Sequence, residues 1–180
     1  NRDTDLLAHP RIPYKPSDDA ASPSASSPSP SSPSSPSPSS VEGIPISDPA
    51  ALQAWLQSKA YQAWPGETAP RPFTVGGGGH SGQVRTFLNP ILDASMKRGG
   101  AEHPQGSASV KEFLNADGSL HSWAVSVKTE AQSDGGKGWY WYEAFDTSAR
   151  PRVIAGQGST VCIGCHGAGN DFVRVTYPLR

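Results

Sequence analysis

The sequence predicts an α+β domain, a mostly antiparallel β-sheet with a few flanking helices. Three observations predict it: period-2 apolar alternation in successive segments between Ser107 and Phe145, turn signals between those segments, and two short helical patterns ahead of them. The first helix opens at Asp48-Pro49, an N-cap acceptor followed by a proline at the first helical position. Leu52, Trp55, Leu56, Ala60 and Ala63 then share a face until Pro65-Gly66, which predicts an amphipathic helix over 48–63. Gly76 to Gly79, followed by His80-Ser81-Gly82, reads as a loop; no Gly-Lys-Ser/Thr follows to make it a phosphate loop. Val84 to Leu88 is a strand, and Asn89-Pro90 opens a second helix that runs to about Lys97 and stops at Gly99-Gly100. Three strands follow. Ser107–Leu114 places Lys111 and Phe113 opposite Ala108, Val110 and Leu114. Leu120–Thr129 groups Trp123, Val125 and Val127, while Gly138–Phe145 groups Trp139, Trp141 and Phe145 with Glu143, opposite Tyr140 and Tyr142. Asp117-Gly118 and Asp134-Gly135-Gly136 are the turns of an antiparallel meander.

Composition divides the chain in two. Of 180 residues, 35% are hydrophobic and mean hydropathy is −0.48, low for a wholly globular chain. Seven of the 18 prolines lie between Pro16 and Pro38, in a run that is almost only serine, proline and alanine. Such a segment has nothing with which to bury a core and reads as an extended, solvated spacer. Residues 1–40 are therefore expected to be a disordered tether and 41–180 the domain. With neither an initiator Met nor an apolar N-terminal segment, any export signal is expected to have been removed or to lie outside this sequence. A net charge of −1 offers no footprint for nucleic acid or an anionic membrane, no apolar run approaches the ~18 residues of a membrane span, and two cysteines make no disulfide scaffold.

Both cysteines belong to Cys162-Ile163-Gly164-Cys165-His166, the C-x-x-C-H run that attaches haem c. Two thiols three residues apart add to the two vinyl groups, and the adjacent histidine is delivered to the iron. The alternatives are a thioredoxin-like redox pair, which lacks the βαβ setting, and a zinc site, which needs two further ligands where the other histidines are scattered singly. Covalent haem attachment takes place outside the cytoplasm, which agrees with the spacer and points to the periplasm or cell envelope. Only 14 residues follow His166, none of them Met or His, so an open sixth position is expected. Met96, His80, His103 or His121 would have to reach across in space to fill it, and His9 precedes the spacer. An open site means gas binding or catalysis rather than simple electron relay.

The late motif also occurs in helical cytochromes c-prime, but the alternating segments argue against a bundle. From about Val84 to Arg180 the chain resembles the cytochrome P-460 family, which includes the beta-type cytochromes c-prime. The resemblance is carried by Val84-Arg85-Thr86-Phe87-Leu88-Asn89, by Gly106 to Phe113 with its Val-Lys-Glu run, by Gly138-Trp139-Tyr140-Trp141, and by the late Cys162–His166 followed by Asp171-Phe172-Val173 and Tyr177-Pro178-Leu179. It implies a mostly antiparallel domain, a homodimer, one five-coordinate haem c, and oxidation of hydroxylamine to nitric oxide or nitrous oxide, with a small redox protein as electron partner. It implies further that Lys111 is bonded to a meso carbon of the haem and that Arg85 lies over the distal pocket, where a guanidinium can bond an iron-held ligand. Read alone, Lys111 is better placed on the solvated face of an edge strand, although it shares a strand face with Phe113, and Arg85 could equally lie in a surface ion pair.

Members of the family that turn over also use a distal carboxylate, expected shortly before the first cysteine. Here that stretch reads Ala155-Gly156-Gln157-Gly158, with no acid, so Glu143 is the candidate base. Three functions follow: a hydroxylamine-oxidising enzyme using Lys111, Arg85 and Glu143; a nitric-oxide-binding protein without turnover, its pocket lined by residues such as Phe87 or Phe113; and an electron carrier with Met96 or a histidine as sixth ligand.

Overall fold

The structure, a computed structural model, describes residues 43–74 and 81–180. The expected tether over 1–40, the domain start at Val41, the glycine run and His80 lie outside the described residues. Six strands form one antiparallel sheet in strict chain order: β1 (Arg71–Thr74), β2 (Ser81–Leu88), β3 (Ala108–Leu114), β4 (Leu120–Lys128), β5 (Trp139–Ala144) and β6 (Val153–Gln157). Helix α1 (Pro49–Gln57) precedes the sheet, α2 (Pro90–Lys97) interrupts it after β2, and α3 (Thr160–His166) follows β6. The α+β meander expected from the sequence is the observed architecture.

Local chemistry sets the helix ends. The Asp48 carboxylate accepts from Ala50 N at 2.9 Å and the Asn89 side chain from Leu92 N at 3.0 Å, each meeting a donor that the first turn leaves without a partner. The single helix expected over 48–63 is divided, however. The Ser58 hydroxyl bonds back to Trp55 O at 2.6 Å, Lys59 takes a left-handed φ of 58°, and a 3-10 turn covers Ala60–Ala63. That turn delivers Tyr61 into the core, where its ring meets Phe87 edge-on at 5.2 Å and its hydroxyl donates to Glu112 at 2.7 Å.

The register sorts the sheet into two faces. One face carries Phe87, Val110, Val125 and Tyr142 in a cross-strand line and packs on Leu52 and Leu56 of α1, with Ile44, Tyr61 and Trp123. The other carries Leu88, Trp139 and Trp141 and packs on Leu92 of α2, on α3 and on the segment that follows it, through Ile163, Phe172 and Val173. Each such side chain, fully buried, contributes roughly 1.5–3 kcal/mol, so both layers are held by the same sheet. Strands β1 and β6 are the two edges.

Candidate functional site

Helix α3 carries the whole Cys162–His166 motif. The cysteines sit one turn apart, neighbours on the helix surface, and are not joined to each other; Cys162 packs toward the Trp139–Trp141 cluster while Cys165 is exposed. Burial pushes the Cys162 thiol up; a hydrogen bond with Ser159 opposes the shift, and Glu143 and Cys165 add to it. A redox-active thiol of the thioredoxin kind needs the opposite shift. Among the described residues no three His, Cys, Asp or Glu side chains are grouped to hold a metal ion, so the zinc alternative lacks its further ligands there.

His166 closes the helix with its ring edge-on to Trp141, centroids 4.6 Å apart. Its Nδ1 lies 2.8 Å from the Phe172 carbonyl oxygen. A carbonyl only accepts, so Nδ1 donates; in the neutral ring this leaves the lone pair on Nε2, the arrangement a metal-ligating histidine needs.

Beside this helix lies a line of cross-strand partners. Thr86 of β2 opposes Lys111 of β3, Lys111 opposes Ala124 of β4, and Ala124 opposes Glu143 of β5. Side chains alternate along each strand, so this line shares its face with Trp141, two residues from Glu143. Lys111 therefore does not lie on a solvated edge: β3 is interior, Lys111 is only 6% exposed, and its Nζ donates to Arg174 O at 2.9 Å. Burial lowers its pKa to about 8, helped by the charges of Arg71 and Arg174 and opposed by Glu67. Burial raises the pKa of half-buried Glu143, against the nearby charge of Arg152. Glu143 acts electrostatically on the Cys162 thiol, which ties the line to α3.

Other expected residues are not brought here. Arg85 and Phe87 alternate with Thr86, so they point to the α1 side of the sheet. Arg85 pairs in register with Glu112, donates from Nε to Glu67 O at 2.9 Å, and stands 4.9 Å over the Phe87 ring. Arg85 thus does not reach the face of His166, and Phe87 belongs to the opposite core; of the two phenylalanines only Phe113 shares the Lys111 face. Met96 packs into the apolar cluster with Cys162 and Ile163. His103 is buried with Nδ1 2.9 Å from Ser95 Oγ, and His121 is exposed.

The Lys111 face is largely buried. Small side chains flank Lys111 on it, Thr86, Ser109, Ser122, Ala124 and Ser126, with the Phe113 ring beside it. Trp141 Nε1 and Thr86 Oγ1 are buried without a hydrogen-bond partner among the described residues, an arrangement costing about 1–3 kcal/mol per group until a polar ligand meets it. Sequence reading missed Trp141 as the ring against His166, the Phe172 carbonyl, and the Glu67–Arg71 pair beside Lys111. The Gly-Asn-Asp-Phe run after the motif was the available signal for a tight turn. Neither a scan against models of known protein families nor a search of curated proteins finds a match to this chain.

Proposed function

We propose that this chain is an exported c-type haem protein of the cytochrome P-460 kind that oxidises hydroxylamine to nitric oxide or nitrous oxide. The supporting observation is the line Lys111–Ala124–Glu143 on the face where α3 packs. Cys162 and Cys165 would hold haem c through thioether bonds and His166 would ligate its iron through Nε2. Bound haem would supply an iron with an open position, able to take a small nitrogenous ligand and pass its electrons on. At pH 7 a lysine of pKa about 8 is the neutral amine in about one molecule in ten, against fewer than about one in a thousand at the ordinary value. Only the amine has the lone pair that a bond to carbon would need; such a bond would replace the meso C–H and an N–H, releasing two protons, and two electrons to an external oxidant. Glu143, its carboxyl raised by burial, is the group to accept protons as substrate is oxidised. Electrons leave to a small redox protein; the functional unit is a homodimer in the periplasm or cell envelope, tethered through residues 1–40.

Phe113 favours a second reading. It is buried on the Lys111 face, one step along the same strand, and an apolar ring there suits nitric oxide binding without turnover. The absorption spectrum of the dithionite-reduced protein separates the two. A main band far to the red of ordinary ferrous haem c, reverting in Lys111→Ala, supports the cross-link and makes hydroxylamine turnover the next assay. An ordinary high-spin spectrum refutes the cross-link and leaves nitric oxide binding. Sharp low-spin bands refute both and point to an electron carrier with a sixth ligand.

A further inference from the structure

The turn that follows α3 is built against the backbone's own preference. Asp171 and Phe172 are consecutive non-glycine residues with left-handed φ, 45° and 65°. Each such residue costs on the order of 1 kcal/mol, and a pair persists only where its surroundings over-determine it. The Asp171 carboxylate supplies that determination. Its Oδ2 accepts from Lys128 Nζ at 2.9 Å and from His103 N at 2.7 Å, and its Oδ1 accepts from Ser133 Oγ.

These partners are themselves fixed. The Lys128 side chain is fully buried and also reaches Glu102 at 3.2 Å, while Glu102 accepts from Ser133 N at 2.9 Å. Lys128 ends β4 opposite Trp139, so the group is anchored to the sheet. An aspartate so enclosed gains charge-assisted hydrogen bonds that a neutral side chain would not. One residue on, the Phe172 carbonyl accepts from His166 Nδ1. The direction of that carbonyl is set by the φ and ψ of the same turn.

We propose that Asp171 is the positioning residue for His166: by holding the left-handed turn it aims the Phe172 carbonyl at Nδ1 and so fixes the ring's orientation and its donation to the iron. The proposal rests on the reading of the motif as a haem site. A hydrogen bond accepted from Nδ1–H makes the ligating nitrogen more basic, and loosening it weakens the iron–histidine bond.

The test uses the full chain with haem attached, in wild type, Asp171→Asn and Gln53→Ala. Gln53 is buried on the opposite face, where it bonds Ser148 O and Tyr142 OH, and its variant controls for general loss of stability. Haem staining of the denatured wild type comes first; its absence overturns the haem reading and this proposal together. With haem present, the iron–histidine stretching band of the ferrous protein is read by resonance Raman and the midpoint potential by titration. Asp171→Asn is expected to move the band to lower frequency and raise the potential, while Gln53→Ala leaves both in place. An unchanged band in Asp171→Asn, or an equal shift in Gln53→Ala, overturns the positioning role and leaves the haem reading standing. If Asp171→Asn does not fold, Ser133→Ala removes one donor and keeps the ion pair; it is expected to shift the band in the same direction, and no shift overturns the proposal.

Discussion

Replacing Lys111 with methionine should stabilise the chain made without haem attachment, an unusual outcome for deleting a hydrogen-bonded side chain. Lys111 is 6% exposed and its pKa is about 8 against an ordinary 10.5. At 1.36 kcal/mol per pH unit, the folded state bears about 3 kcal/mol for holding the ammonium below pH 8. The sign follows from proton counts. Between about pH 8 and 10.5 the unfolded lysine still carries its proton and the folded one has lost it, so wild-type stability rises with pH across that window. Methionine is close in volume and removes the penalty, but forfeits the bond to Arg174 O, worth roughly 1.5–3 kcal/mol for a charged donor. The net expectation at pH 7 is a gain of about 1 kcal/mol, or ~2–4 °C in melting temperature. Above pH 10.5 the penalty is gone in wild type too, so the variant becomes the less stable of the two. Denaturant melts of both proteins from pH 7 to 11 read the difference directly, other titrating groups cancelling. A wild-type minus variant stability that stays flat through the window would show that Lys111 is not held in a desolvated site.

Two further outcomes are expected. On the proposed reading, Glu143→Gln should lower the rate of hydroxylamine oxidation by roughly 10²–10⁴-fold, as for loss of a general base. Because burial raises the Glu143 pKa, wild-type activity should fall on acidification at a pH above the usual carboxylate range, and the pH–rate profile of the variant should lose that limb. Gly136→Ala would place a Cβ 2.7 Å from Ile163 and 2.9 Å from Phe172 at a φ of 94°. It should cost roughly 1–3 kcal/mol by overpacking and reduce haem incorporation by loosening α3, read by thermal melting and haem per polypeptide.

The sheet was legible wherever alternation was strong. β3, β4 and β5 lie within a residue or two of their expected bounds because apolar residues of period 2 fill them and Asx-Gly turns separate them. The edges were not. β1 is four residues long and includes Pro72, which breaks a strand pattern and is tolerated at an edge; β6 is five residues long, includes Gly156, and its apolar Val153-Ile154-Ala155 run shows no alternation. The division of the first helix turns on Lys59 adopting φ 58°, which no residue preference announces. At the site, the motif is local and was readable. The face of Arg85 was not, since a strand's alternation sorts its residues into two sets without saying which set meets a helix seventy-odd residues later. The Asp171 group escaped for the same reason: Lys128, Ser133 and His103 come together with it only through the fold.

Strict chain order in the sheet also bears on how the molecule is made. Every strand after β1 pairs with the one synthesised just before it, so no segment waits for a distant partner, and the connections close small loops at low entropic cost. Helix α3 comes after all six strands. A chain emerging from its N-terminal end can thus pair all six strands, Lys111 and Glu143 included, before Cys162 and Cys165 arrive; the α3 side of the sheet is fully covered only afterwards, by α3 and the segment that follows it. The Cys162–His166 segment is laid on strands already paired, and the order of assembly is written in the topology.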